Sequence, residues 1–506
     1  MPKLRSIITI VAAGCALTSC NKFLDVKPKG KLIPSEVADF DKLLDNTGTA
    51  QYIFLDNNGG SMIGYLNDNL ELSEGIAKVA YKANNHPNID RFYAYTFRKP
   101  YRNPNTSDYF WDWGTYRAAA YYNNIIDGIG GLKSISNEDL PFARAVLAQA
   151  RAGRGFQYFL HNLVYGPVYK PGTANNTRTI PYLTNADLNA PMVDLSTQEE
   201  VFKLAAKDLH AALPDAPAAT NWPTRANKTA VQAMLAYYHL FTRRYDSVAH
   251  YANLAWTGAT ANGGPDRVIY DYNGFSWTNP GNILSSTIKA QDNFLDANNN
   301  REILLYRSED RGAGRSSSSY PSAEFTGLFD AQADLRYTYY FLTAPGYKTS
   351  YNGVNYDDGQ RVQFYRGSKT QLTSGFTYPE VLLMRAEAYA RTGKLAEAVA
   401  DLNLLRKYRF KTGTPPLGVG SQDDVIAEVL KERRRELPAS GIKRFLDLKR
   451  LVLDAGKPWQ KTKIVHKVGT ETFEAGIDSD FFIMNIANTI LQYNPHWNVP
   501  LDNRTF

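Results

Sequence analysis

Cysteine is nearly absent from the 506 residues: there are two, Cys15 and Cys20, both within the first twenty positions. The rest of the chain therefore has no disulfide framework and no thiolate metal site. Long apolar runs are missing too. Beyond Cys20 no run of 18 apolar residues occurs, so the body is expected to be soluble, without a membrane-spanning helix. The seven histidines stand apart at 86, 161, 210, 239, 250, 466 and 496, with no H-E-x-x-H, which leaves zinc chemistry without its ligand pairs. G-x-S-x-G, G-x-x-x-x-G-K-[ST] and G-x-G-x-x-G are all missing, so nucleophile-elbow hydrolases, P-loop NTPases and dinucleotide enzymes lack their minimal hardware. Asp296-Ala-Asn298-Asn-Asn300 opens like an EF-hand loop, but Arg301 stands where Gly is needed and Arg307 where the bidentate Glu belongs. No metal or other cofactor is expected.

The formal charge is +7; Lys3 and Arg5 precede Cys20, so a chain starting at that cysteine carries about +5. No block of Lys and Arg is interleaved with aromatics, and no nucleic-acid partner is expected. The one basic run, KERRREL at 431–437, reads as a helix face. Glu428 stands three residues before Lys431, and Glu432 three before Arg435, which is ion-pair spacing.

What the chain has in quantity is aromatic surface: 33 Tyr, 24 Phe and 7 Trp, rings that serve cores, interfaces and ligand platforms alike. It also has a targeting segment. Lys3 and Arg5 precede the apolar stretch Ile7–Leu17, which has the length of a signal-peptide core and is too short to cross a bilayer. Leu17-Thr18-Ser19-Cys20 resembles the bacterial lipobox, in which the cysteine is acylated and becomes the mature N-terminus. Residues 1–19 are thus expected to be removed as a lipoprotein signal peptide, with Cys20 the lipidated residue. Asn21 and Lys22 place no Asp beside the anchor, which favours the outer membrane, with the protein lipid-anchored and surface-exposed.

The body from 20 to 506 reads as mainly α. In TYPEVLLMRAEAYARTGKLAEAVADLNLLRKYR, 377–409, Thr377 and Glu380 have capping-box spacing and Pro379 falls in the first turn. Leu382, Ala386 and Tyr389 share a face, Gly393 offers a left-handed turn, and Ala398, Leu402 and Leu405 repeat the spacing in a second helix. The small residues have tetratricopeptide spacing. A looser copy spans 227–256, with Arg243 and Val248 where Gly and Ala are usual, and a third pair is suggested by 143–166 and 196–213. Such hairpins must stack to bury their apolar stripes, giving a helical-pair superhelix. Residues 257–378, between an N-terminal segment of about 20–256 and a C-terminal segment of about 379–506, read as a lobe of long irregular loops; REILLYR, 301–307, reads as an isolated strand or short helix.

Several stretches together resemble the SusD/RagB family of outer-membrane lipoproteins of Bacteroidetes. They are CNKFLDVKPKGKLIPSEVADFDKLLDN at the start, WDWGTYRAAAYYNNIIDGI at 111–129, ERRREL at 432–437 followed by RFLDLKRL at 444–451, and LQYNPHW at 491–497. Ser440, Asn485 and Ala487 depart from the family pattern. The resemblance implies a SusD-like core of four tetratricopeptide-like pairs and a loop-rich lobe carrying the ligand site. It also implies a non-catalytic role: capture of an oligosaccharide and its delivery to a SusC-like TonB-dependent transporter. Peptide capture, as in the RagB branch, and a cell-surface polysaccharide hydrolase are the alternatives.

Sugars stack their C–H faces on aromatic rings and need polar side chains around the edge. The loop DYNGFSWTNPGN supplies both: Tyr272 and Trp277 as stacking rings, Asn273 and Asn279 as hydroxyl partners. Trp111, Arg102, Asp68 and Tyr320 are the further glycan-binding candidates.

Overall fold

Several helix starts in the body use one device, a short polar side chain that accepts the N–H three residues on. Thr197 accepts from Glu200 at 3.2 Å, Asn227 from Ala230 at 2.8 Å and Thr377 from Glu380 at 3.2 Å. At Thr197 the box is complete, since the Thr197 N–H donates to the Glu200 carboxylate at 2.7 Å. At Thr377 only half of the expected box forms. The Glu380 carboxylate turns inward instead, where it accepts from Arg433 and Lys443 at 2.9 Å each.

The computed structural model describes residues 34–46, 61–78, 89–108, 110–187, 189–279, 287–290, 294, 296–307, 319–351, 353–364, 373–437 and 441–504. The targeting segment and Cys20 lie outside the described residues. A π-helical stretch, Trp111–Ala118, runs into α1 (Ala119–Gly130), which packs on α2 (Leu140–Tyr165). Against α2 lies α3 (Gln198–Ala212), drawn close because Gly155 faces the Ala205 carbonyl, where a Cβ would sit 2.9 Å from the oxygen. The next pair is α4 (Lys228–Phe241) and α5 (Tyr245–Thr260). The C-terminal pair is α7 (Tyr378–Arg391) and α8 (Leu395–Arg409), numbered after a short α6 (Leu335–Tyr340) in the lobe. Helix α5 packs on α7, which also carries α9 (Gln422–Glu436); α10 is Gly441–Leu451. The small residues at the crossings, Ala236, Ala252, Ala386 and Ala398, are fully buried, so the pairs stack through them. Gly393 turns between α7 and α8 at φ 82°; Arg243, at the matching place between α4 and α5, is held at φ 55°.

Residues 257–378 are more regular than the sequence suggested. They contain strand pairs rather than only loops, all antiparallel: β2 (Ser276–Trp277) with β3 (Ile288–Lys289), β6 (Phe341–Pro345) with β9 (Gln360–Phe364), and β7 (Lys348–Tyr351) with β8 (Val354–Asp357). Inside REILLYR, β4 (Ile303–Leu305) is a strand and not isolated: it pairs with β10 (Phe376–Thr377) at the entrance to α7. β5 (Ser319–Pro321) pairs with β1 (Leu70–Leu72), tying the lobe to the N-terminal segment. Apolar alternation is absent from ribbons such as Lys348–Tyr351 (KTSY) and Val354–Asp357 (VNYD), so period-two patterning is weak. The lobe has a small core of its own, built on Tyr270, Tyr272, Phe275, Phe294, Leu335 and Tyr339.

The basic run of α9 makes the pairs its spacing implied, Glu428 with Lys431 at 3.9 Å and Glu432 with Arg435 at 2.6 Å. Most of its charge, however, goes across to other elements. Arg433 meets Asp447 at 2.8 Å, Arg434 meets Glu324 at 2.6 Å, and Glu432 and Glu436 meet Arg336 at 2.6 and 2.9 Å. Intrahelical pairing is therefore a minor part of what this run does. It is a lattice joining α9 to α6, α7 and α10. Among the described residues no helix is long and apolar enough to cross a membrane.

Candidate functional site

The residues singled out from sequence divide by burial. Tyr272 is an interior ring. Its face lies 4.2 Å from the Arg409 guanidinium, Phe275 stacks on it at 4.6 Å, and its hydroxyl is 3.1 Å from that of Tyr340. Burial, then the neighbouring Tyr340, pushes its hydroxyl pKa well above the usual tyrosine value. Arg409 is in turn fixed by Glu302 at 2.9 Å and Glu436 at 2.7 Å. With both faces and the hydroxyl occupied, Tyr272 offers no platform to a sugar. The apolar face that suggested stacking is spent on the lobe core.

The same correction applies to the candidates outside the loop. Trp111 is fully buried among Tyr165, Tyr116 and Trp497, with ring centroids at 5.1, 5.8 and 6.1 Å. Arg102 reaches Asp108 at 2.8 Å, and the Tyr165 hydroxyl donates to the other oxygen of that carboxylate at 3.0 Å. Asp68 is buried and accepts from Arg444 at 2.6 and 2.7 Å and from Lys461 at 2.5 Å. Burial alone would raise its pKa; Arg444 and Arg434 outweigh it and hold the carboxyl well below the usual range. Tyr320 is buried in β5, donates to Asp358 at 2.6 Å and carries Arg361 over its ring at 4.6 Å. These four do not converge on one surface with the loop. They are joints of the framework.

Three candidates remain at or near the surface. Trp277, half-buried on β2, donates from Nε1 to the Thr338 carbonyl at 3.2 Å and leans on Tyr339 at 5.9 Å, which fixes the plane of its ring. Asn279, exposed, follows it with left-handed backbone at φ 50°. Asn273 is exposed as a residue, but its amide is committed. Nδ2 donates to Asp271 at 2.9 Å and to the Phe410 carbonyl at 3.0 Å, and Oδ1 accepts the Thr412 N–H at 3.0 Å.

Through those bonds Asn273 props open a cleft of about 290 Å³ between the loop and the C-terminal end of α8. Its walls carry Asp271, Asn403, Arg406, Lys407 and Lys411, with Phe410 behind. Trp277 does not line it. Sequence reasoning missed this cleft. In RKYRF, 406–410, Arg409 looks no different from Arg406, and only the folded chain shows which of them lines the cleft. A second concavity, about 500 Å³, lies at the turns between paired helices and holds Arg243, Tyr245, Arg391, Asp454 and Trp459. Its polar groups are mutually satisfied: Asp454 accepts from Arg243 at 2.6 Å, Arg391 at 2.8 Å and Trp459 at 2.6 Å. Asp296, in the segment that opens like an EF-hand, spends its carboxylate on the Asn298 N–H at 3.0 Å and the Asn299 amide at 2.7 Å. Among the described residues no group of three His, Cys, Asp or Glu is arranged to hold a metal ion.

Two family models together match residues 22–494. One, described as "Starch-binding associating with outer membrane", covers residues 22–240, and the other, described as "SusD family", covers residues 239–494. The chain belongs to the SusD family. The fold of this SusD-family chain agrees with solved structures over nearly its whole length. A SusD superfamily protein from Bacteroides fragilis aligns with TM-score 0.65 and 16% identity over 92% of this chain and 100% of that one. A SusD superfamily protein from Bacteroides vulgatus gives 0.64 and 18%, covering 91% and 98%. A "SusD-like carbohydrate binding protein" from Bacteroides vulgatus gives 0.58 and 16%, covering 91% and 97%. No curated protein sequence matches the chain.

Proposed function

We propose that this SusD-family protein is a non-catalytic outer-membrane lipoprotein, anchored through Cys20, that captures oligosaccharides and passes them to a SusC-like TonB-dependent transporter. The observation that carries the reading is the tiling of residues 22–494 by the two family models, one of them named for starch binding and outer-membrane association. A solved relative of the same fold is itself named a carbohydrate-binding protein. The chemistry of the lobe suits that role. Trp277 presents a ring whose tilt is fixed by its bond to Thr338, and the exposed Asn279, two residues on in the same loop, supplies an amide for sugar hydroxyls. A fixed ring loses little entropy when a ligand settles on it.

The test is a glycan array followed by calorimetric titration on the soluble body begun after Cys20. Saccharide binding without release of cleavage products supports the reading. Binding of peptides with failure across oligosaccharides replaces it by peptide capture, and cleavage of a bound saccharide replaces it by hydrolysis. Membrane fractionation of Cys20→Ala, in cells lacking the transporter, tests the anchor: the variant is expected in the soluble fraction.

A further inference from the structure

Arg406 sits in the last turn of α8, one turn before Arg409, and the two arginines are treated differently by the fold. Arg409 is buried and meets Glu302 and Glu436. Arg406 is half-buried, its Cζ lies over the Phe410 ring at 3.8 Å from the centroid, and its guanidinium has no hydrogen bond or ion pair among the described residues. A guanidinium on an aromatic face is held in plane while its N–H edges stay available. Those edges border the cleft propped open by Asn273, where Lys407 and Lys411, both exposed, stand on the same walls.

The cleft wall thus has three cations against one carboxylate, Asp271, and that carboxylate is engaged by the Asn273 backbone and side-chain N–H groups at 3.0 and 2.9 Å. Asp330, another acid nearby, accepts the N–H groups of Gln332 and Ala333 at 2.9 and 3.0 Å. Burial works against the charge on Arg406 and lowers its pKa; Glu432 and Glu428 act on it only from a distance and are paired with Arg336 and Arg435, so an anion in direct contact would still gain. At about 290 Å³ the cleft is small for a ligand pocket, with room for one substituted ring rather than a long chain.

We infer that this cleft receives an anionic group carried on a sugar ring, the carboxylate of a uronic acid or a sulfate ester, bound by Arg406 with Lys407 and Lys411 at its rim. The inference rests on the glycan-capture reading and narrows its substrate class to acidic oligosaccharides. A guanidinium matches the two oxygens of a carboxylate, or two of a sulfate, with a pair of parallel N–H donors.

The experiment titrates the soluble body with oligogalacturonate, oligomannuronate and sulfated galactan oligosaccharides, each beside its carboxyl-reduced or desulfated neutral counterpart. At least one charged probe is expected to bind tenfold or more tightly than its counterpart, with an affinity that falls as salt is added. Arg406→Gln is expected to bring that ratio close to one. Lys407→Gln with Lys411→Gln, both exposed and harmless to the fold, should reduce the ratio by a smaller factor. The carboxylate and sulfate arms separate the two sources of charge. Neutral probes binding as tightly as charged ones, or a charge preference that survives in Arg406→Gln and the double variant, overturns the inference and leaves glycan capture standing. Failure of every saccharide, charged or neutral, overturns both.

Discussion

Arg444 holds both carboxylate oxygens of Asp68, at 2.6 and 2.7 Å, across 376 positions of sequence. The pair joins the N-terminal segment beside β1 to α10, and Lys461 completes the clamp. Removing the acid takes the ion-pair partner from buried Arg444, while Arg434 and Lys461 keep Glu324. Asp68→Asn is expected to cost about 3–5 kcal/mol, the range for breaking one side of a buried ion pair. Urea denaturation of the soluble body checks this, with an unchanged slope and a lowered midpoint as the expected pattern.

The lattice around α9 makes stability sensitive to acid. Burial tends to raise the pKa of Glu432, but Arg336 and Arg435 bring it down to about 2; Arg433 and Arg450 likewise bring Asp447 to about 2. Ordinary values are 4.5 and 3.8, so the unfolded chain takes up protons before the folded one does. The stability these groups supply is complete above pH 4.5 and is lost as pH falls towards 2. Glu432→Gln should flatten the acid limb of a stability-against-pH curve measured by denaturant titration, besides lowering the whole curve.

Arg243 sits in the left-handed region at φ 55°, where its tetratricopeptide counterpart Gly393 is unstrained. Its side chain offsets that strain through Asp454 at 2.6 Å. Arg243→Ala keeps the strain and loses the bond; Arg243→Gly loses both. The glycine variant is therefore expected to be the more stable by about 1 kcal/mol, read from paired thermal melts.

Two aromatic residues of one loop should answer differently to truncation. Tyr272→Ala empties a ring from the lobe core and exposes the Arg409 cluster, with an expected loss of about 3–5 kcal/mol. Trp277→Ala, half-buried, should cost much less stability and weaken saccharide binding at least tenfold. Melting temperature and titration on the same two variants separate a framework ring from a platform ring.

The helical pairs were legible because their signals are local: Thr377 as a cap, Gly393 as a turn, Ala386 and Ala398 as close-packing residues all act within a few positions of themselves. Pairing partners were not. KERRREL reads as one helix face because spacing shows the contacts within a helix, whereas Arg433 finds Asp447 and Glu380 only after α7, α9 and α10 have packed. The candidate site suffered from the same limit. Tyr272 and Trp277 are both rings in one loop, and nothing local distinguishes the ring that meets Arg409 from the ring that stays at the surface. Asn273 reads in sequence as a ligand group, and in the fold its amide is committed to the wall of a cleft. Arg406 is distinguished only by the lack of an ion-pair partner among the described residues, which spacing does not display.

The central claim is capture of saccharide by the folded body. Its most direct test is calorimetric titration of the soluble protein with the oligosaccharides selected by array, wild type beside Trp277→Ala. Saturable binding by the wild type, weakened at least tenfold in a variant that still melts cooperatively, is the predicted result. Absence of binding to every oligosaccharide, by a wild-type protein that is folded and monodisperse, would contradict the account.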